Sequence, residues 1–219
     1  MTSPRKRVVV FISGGGSNMM ALVAAAKAQD FPAEIVGVIS DKPDAGGLAK
    51  ATAEGIATFA FPRKDYASRE AHEEAIFAAL DALSPDILCL SGYMRLLSGT
   101  FIQRYEGKMI NIHPSLLPLF PGLHTHQRAI DAGMRIAGCT VHFVTEGMDE
   151  GPVIGQAAVP VLSDDTADAL AARVLTVEHQ IYPQALRLFA EGKVRMEGGK
   201  AVRTTDASDN ATTGAVISA

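Results

Sequence analysis

Hydrophobic positions along this chain come in short unbroken runs separated by stretches with helical spacing. The run VVVFI, Val8 to Ile12, is branched and continuous, as a strand covered on both faces is. It leads straight into SGGGSN (13–18) and then MMALVAAAKA (19–28), which reads as a helix. The unit repeats: EIVGVIS (34–40) reads as strand, AGGLAKATAEG (45–55) as a glycine-weakened helix and ATFAF (57–61) as a third strand. The clearest helix of the first half is SREAHEEAIFAALDAL (68–83), with Ile76, Ala79, Leu80 and Leu83 on one face, and DILCLSG (86–92) is strand again. Such alternation predicts parallel strands with helical crossovers, an α/β doubly wound sheet.

After MINIHP (109–114) the pattern loosens into a proline-rich loop, a short helix HTHQRAIDAG (124–133), two strands CTVHFV (139–144) and GPVIGQAAVPV (151–161), and a long helix over 168–192. The turn-rich TEGMDEG (145–151) between the two strands predicts a hairpin, hence an antiparallel addition to a mostly parallel sheet in the C-terminal half. One domain is expected over residues 1–203, with halves at about 7–106 and 107–203. The small, polar residues that follow, 204–219, have no core pattern and are expected to be a disordered tail.

Composition narrows the class of protein. With 219 residues, 47% hydrophobic and 20% charged, the chain can bury a sizeable core without disulfides or a structural metal. A formal charge of -4 argues against a nucleic-acid binder, while leaving room for a local basic pocket. Cys89 and Cys139 both sit in apolar runs and read as small core residues in a reducing compartment. No stretch is long and apolar enough to span a bilayer, and the basic start RKR precedes too short a run for a signal peptide, so the expected location is cytoplasmic.

The candidate chemistry gathers at predicted strand ends. Proline is excluded from strand interiors, so the strand in MINIHPSLLPLFPG (109–122) closes near His113-Pro114 and exposes Asn111 and His113 on one face at its carboxyl end. Asn111 can donate to an oxygen that becomes negative, and His113 is of the residue type best suited to proton transfer and to charge stabilisation by an imidazolium. Asp149, in the hairpin turn, can hold an imidazolium or take part in proton transfer. No serine or cysteine nucleophile stands in an elbow setting, which suggests direct transfer to a substrate's own nucleophile. Singly, each residue has an ordinary explanation as a strand terminator, an Asx turn or a turn former. A metal site built from His113, His124, His126 and Asp149 is the weaker alternative, because neither an HExxH pattern nor a cysteine pair accompanies it.

SGGGSN brings backbone N–H groups and a helix N-terminus to the carboxyl edge of the sheet, a cradle for one phosphate, with Ser17 or Asn18 as helix cap. A dinucleotide fingerprint fits poorly, since Met19 stands where its third glycine belongs, although Asp41 sits where a ribose-binding acid would. A Walker loop lacks its Lys-Ser/Thr pair.

Taken together, SGGGSN, SGYMRLL (91–97), NIHPSLLPLFPGLHTHQRA (111–129) and GCTVHFVTEGMDEGPVIGQ (138–156) closely resemble the successive motifs of the phosphoribosylglycinamide formyltransferase family, the folate-dependent GAR transformylases, over roughly residues 7–197. The resemblance implies a Rossmann-like formyltransferase fold and formyl transfer from 10-formyltetrahydrofolate, a co-substrate, to the amine of glycinamide ribonucleotide (GAR), without a metal. Position by position it implies a catalytic trio of Asn111, His113 and Asp149; GAR contacts at Gly16, Ser17, Asn18 and Glu178; and supporting roles for Ser115, Thr140 and His142. Folate contacts are implied at Arg69, Met94, Arg95, Leu96, Leu97 and Asn111 and in the loop Thr145, Glu146, Gly147, Met148 and Asp149. The expected partners are these small molecules alone, with no nucleic acid or membrane, in a monomer or weak homodimer. Formyltetrahydrofolate hydrolase is the nearest alternative, normally with a small domain ahead of the sheet for which the residues before Arg7 leave no room. Methionyl-tRNA formyltransferase normally adds a barrel-like domain that the tail does not supply, and a non-catalytic phosphometabolite sensor would need SGGGSN but not the trio.

Overall fold

The computed structural model describes residues 4–204. Inside its main sheet, third from one edge, lies β1 (Lys6–Ile12). Its five residues from Val8 to Ile12 are fully buried. Strand geometry sends them alternately to two faces: Val8, Val10 and Ile12 join Met19, Leu22 and Tyr182, while Val9 and Phe11 join Ile76, Leu80 and Phe101. A strand with helices on both sides requires such a run without polar positions.

From β1 the chain continues through α1 (Ser17–Ala26), β2 (Ala33–Ser40), α2 (Gly46–Ala53), β3 (Thr58–Ala60), α3 (Arg69–Leu83), β4 (Ile87–Leu90), α4 (Gly99–Arg104) and β5 (Met109–His113). Then come α5 (Thr125–Asp131), β6 (Ile136–Phe143), β7 (Val153–Pro160), α6 (Ala167–Ala190), β8 (Val194–Glu197) and β9 (Lys200–Arg203). The main sheet has the order β3-β2-β1-β4-β5-β6-β7. Strands β1 to β5 run parallel, whereas β5 with β6 and β6 with β7 are antiparallel. The mostly parallel α/β sheet with an antiparallel C-terminal addition is therefore the observed fold. Strand order reverses between β1 and β4, which opens a crevice beyond their carboxyl ends.

A short helix and a hairpin are among the elements additional to the predicted ones. The helix α4 has six residues, too few for a periodicity to emerge, and is started by the Ser98 side chain, which accepts from the Phe101 N–H. Strands β8 and β9 form a separate hairpin whose turn residues Gly198 and Gly199 both adopt positive φ. On α3, His72 and Glu73 share the buried face with Ile76 and Leu80, so that face is less apolar than its spacing suggests. Except for Thr204, the expected tail lies outside the described residues. Among the described residues no helix is long and apolar enough to cross a membrane.

Helix α6 ties the two halves of the sheet together. The Tyr182 hydroxyl, fully buried, donates to the carbonyls of Leu90 on β4 (2.8 Å) and Ile110 on β5 (3.3 Å). Burial also pushes the neighbouring Cys89 thiol up to about 12, which keeps it protonated. Tyr182→Phe removes the shared donor and leaves apolar packing intact, so unfolding free energy should fall by about 1–2 kcal/mol in urea melts, with substrate affinities unchanged.

Candidate active site

The strand β5 ends in Asn111 and His113, two residues apart and on one face. Asn111 is half-buried, but His113 is only 6% exposed, so the strand does not present it to solvent as the sequence suggests. Antiparallel pairing with β6 sets Asn111 opposite His142 and His113 opposite Thr140. Asp149 arrives from the β6–β7 turn. Its Oδ2 accepts the Gly122 N–H at 2.8 Å and lies 3.4 Å from His113 Nδ1, beyond ordinary hydrogen-bond length but within ion-pair distance. His113 Nε2 lies 3.0 Å from the Phe120 carbonyl. Both ring nitrogens of His113 therefore face oxygen acceptors.

The chain after His113 is laced to β6 and β7. The Ser115 hydroxyl donates to Leu119 O (2.6 Å) and the Thr140 hydroxyl to Ser115 O (2.7 Å); Thr140 Oγ1 in turn accepts from Leu117 N–H and Gln156 Nε2, each at 3.0 Å. Gln156 Nε2 also reaches Leu117 O at 2.8 Å, while Arg128 donates to Pro121 O at 2.6 Å. Rigid prolines plus these bonds hold the loop that supplies Phe120 O and Gly122 N–H. Phe120, His124 and Asp149 are three of the four non-glycine residues with positive φ among those described. Backbone strain thus gathers around the histidine.

Across the cleft, Glu178 of α6 is 6% exposed and accepts from Asn18 Nδ2 at 2.6 Å. Burial raises its pKa, against the opposing pull of Asn18 and of His113. Asn18 Oδ1 is buried without a hydrogen-bond partner among the described residues. The glycine loop turns at Gly16 (φ 67°), which is the residue ahead of α1, and no side chain caps that helix; neither Ser17 nor Asn18 does. A Cβ on Gly16 would meet Gly47 Cα and the Met19 methyl at 3.0 Å, whereas one on Gly14 or Gly15 would meet nothing. Packing therefore requires glycine at Gly16 but not at Gly14 or Gly15. Asp41 receives the Ser13 hydroxyl at 2.5 Å and Ser13 Oγ accepts Met94 N–H at 2.8 Å, so this acid braces the neighbouring loop.

A cleft of about 590 Å³ brings Asn18, Glu178, Asn111, His113, Met148 and Asp149 together, with Met94, Arg95 and Leu96 on its other wall. Met94, Leu96 and Met148 are exposed and give it an apolar rim. A second cavity of about 460 Å³ shares that wall and holds Arg63, Arg69, Arg95 and Leu97. Arg69 donates to Leu96 O at 2.8 Å and pairs with Glu73 at 3.4 Å; the buried Glu73 carboxylate accepts both the N–H (2.9 Å) and the hydroxyl of Ser98. Gly16, Ser17, Thr145, Glu146 and Gly147 do not line the cleft, and Glu146 instead reaches Gln103 of α4 at 3.4 Å. Glu73, Gln156, Phe120 and Gly122 escaped sequence reasoning, because two act through buried bonds and two through their backbone. Among the described residues no group of three or more histidine, cysteine, aspartate or glutamate side chains gathers around a point suited to a metal ion.

Burial pushes the pKa values of His126, His142 and His179 below the ordinary imidazole value of 6.5. As pH falls from 6.5 towards those lowered values, the unfolded chain takes up protons that the folded one refuses, so stability drops. Glu178 runs the other way: its raised pKa penalises the ionised form, and that penalty is relieved as pH falls through the folded value towards 4.5. Melting temperatures should therefore fall on acidification from neutral pH, and fall more steeply in Glu178→Gln.

A family model described as formyl transferase matches residues 6–186. The trifunctional purine biosynthetic protein adenosine-3 of Drosophila melanogaster is 47% identical over 194 residues, 88% of this chain; the chain spans 14% of that protein's length. Phosphoribosylglycinamide formyltransferase of Escherichia coli (strain K12) is 46% identical over 189 residues, 86% of this chain and 89% of its own. The crystal structure of phosphoribosylglycinamide formyltransferase from Brucella melitensis is 65% identical and superposes with a TM-score of 0.85, covering 98% of this chain and 100% of that one. A formyltetrahydrofolate deformylase from Pseudomonas syringae pv. tomato is more distant, at 26% identity and a TM-score of 0.85, with 93% of this chain matching 67% of that one. Matched over nearly all its described residues and almost end to end with two such proteins, the chain belongs to the phosphoribosylglycinamide formyltransferase family.

Proposed function

We propose that the protein transfers the formyl group of 10-formyltetrahydrofolate to the amine of GAR, giving N-formyl-GAR and tetrahydrofolate for purine biosynthesis. The observation that carries the reading is the meeting of Asn111, His113 and Asp149 in one cleft with Asn18 and Glu178. The phosphate of GAR rests on the backbone of Gly14 to Asn18 at the uncapped start of α1. Its amine end comes to lie between Glu178 and Asn18 Oδ1, the acceptor without a partner among the described residues. The donor's flat ring system lies along Met94, Leu96 and Met148, and its acidic end turns towards Arg63, Arg69 and Arg95.

The neutral amine attacks the formyl carbon, and the C=O electron pair moves onto oxygen. Asn111 offers that oxyanion an amide N–H, and the His113 Nε2–H leaves the Phe120 carbonyl for it. The Asp149 carboxylate, 3.4 Å from Nδ1, stabilises the imidazolium and passes the amine proton, through water, to the departing folate nitrogen. Collapse of the tetrahedral adduct breaks the bond from carbon to that nitrogen. The two free, buried cysteines suit a reducing cytoplasm, with the chain acting as a monomer or weak homodimer on free metabolites.

The direct test is a folate assay with and without GAR. Tetrahydrofolate release should require GAR; release with water alone would instead make the protein a deformylase. His113→Ala should lower turnover by about a hundredfold or more, while the loss of its two buried contacts costs about 1–2 kcal/mol in a melt; near-normal turnover would remove His113 from the chemistry. Separate titrations of the two ligands should show Gly16→Val weakening GAR much more than folate, because a side chain at φ 67° pressing on Gly47 Cα and the Met19 methyl forces the loop to shift. Equal losses would point to collapse of the loop.

A further inference from the structure

We infer that His142 is a positioning residue, holding the Asn111 amide in the one of its two orientations that keeps nitrogen, and not oxygen, at the edge of the cleft. The role of Asn111 rests on the function proposed above; the orientation of its amide does not. His142 lies opposite Asn111 in the β5–β6 pairing, is 2% exposed and is absent from the lining of the cleft, so it acts on a ligand through its neighbours, of which Asn111 is the hydrogen-bonded one.

The orientation follows from which atoms can donate. His142 Nδ1 is 2.9 Å from the Phe143 carbonyl, and a carbonyl oxygen only accepts, so Nδ1 carries the proton. Burial drives the ring towards neutrality, with His113 acting in the same direction and the Phe143 carbonyl and Asp149 opposing. In that neutral ring Nε2 presents a lone pair. Asn111 Nδ2 lies 3.1 Å from it and must donate one of its two hydrogens there, which leaves the second for a ligand oxygen. A flipped amide would set oxygen against the lone pair and repel an oxyanion. The other charged group near the ring is Asp149, with Oδ1 3.9 Å from Nε2.

The carbonyl that fixes the tautomer is available because residue 151 is glycine. A Cβ there would lie 1.7 Å from Phe143 O and 3.3 Å from His142 Nδ1. Phe143 is itself anchored by its N–H to Pro152 O at 2.9 Å. The chain of control runs from Gly151 through Phe143 and His142 to Asn111.

The experiment uses His142→Leu and His142→Gln in the full chain. Leucine fills the space without an acceptor, whereas a glutamine oxygen can take the Asn111 hydrogen. His142→Leu should lower kcat by about tenfold to a hundredfold with KM for GAR and folate within about twofold, and His142→Gln should recover most of the loss. Adding Asn111→Ala to His142→Leu should cost little more, since the two act as a unit. Nitrogen NMR of the wild-type imidazole should show the neutral ring protonated at Nδ1. Unchanged kcat in His142→Leu, equal damage from both substitutions with raised KM values, or a proton on Nε2 would each overturn the inference. A wild-type protein that transfers no formyl group but keeps the Nδ1 proton would overturn the proposed function and leave the orientation standing.

Discussion

The site depends on the change of direction between β5 and β6. Parallel strands with helical crossovers occupy the sheet up to β5, and the next strand comes back beside it antiparallel. Directly opposed residues in an antiparallel pair come within reach of each other's side chains. Asn111 therefore meets His142, and the loop leaving His113 meets Thr140. A one-residue slip of β6 would send His142 and Thr140 to the other face, away from Asn111 and His113. The register is protected by the apolar neighbours on that opposite face, Ile110, Ile112, Val141 and Phe143, which share one core cluster with Tyr182.

Polar groups along this seam pair largely with partners that the fold itself supplies. Thr140 Oγ1 both donates and accepts, and Asp149 Oδ2 takes a backbone N–H while facing an imidazole. Buried polar networks specify one arrangement when complete and destabilise when any member is lost. Asn18 Oδ1, one of four buried side-chain atoms without a partner among the described residues, belongs to a residue of the same cleft as His113. Strained backbone at Phe120, His124 and Asp149 is held in place by the same bonds.

Much of this was legible in the sequence where a single physical rule dominates. The VVVFI run announces a strand buried on both sides, prolines mark where β5 stops, and TEGMDEG announces a hairpin. Motif resemblance led to Asn111, His113 and Asp149, which share the cleft. What stayed hidden is contact made across long sequence separation. Nothing local links Glu73 to Ser98, Gln156 to Leu117 or Tyr182 to Leu90. The expected cap at Ser17 or Asn18 failed because Gly16 turns left-handed ahead of the helix and Asn18 is committed to Glu178. The exposure expected for His113 failed because the loop after it folds back over the ring.

The wall from Met94 to Leu97 is held from behind. Arg69 grips the Leu96 carbonyl and Glu73 grips Ser98, both from α3, while the cleft side of the same segment carries exposed Met94 and Leu96. Its shape is thus set by a helix that stands outside the main cleft. Sequence drift on α3 can then reshape that wall while every residue facing the cleft stays the same, so the form of the cleft is encoded partly in positions that a comparison of its lining alone would overlook.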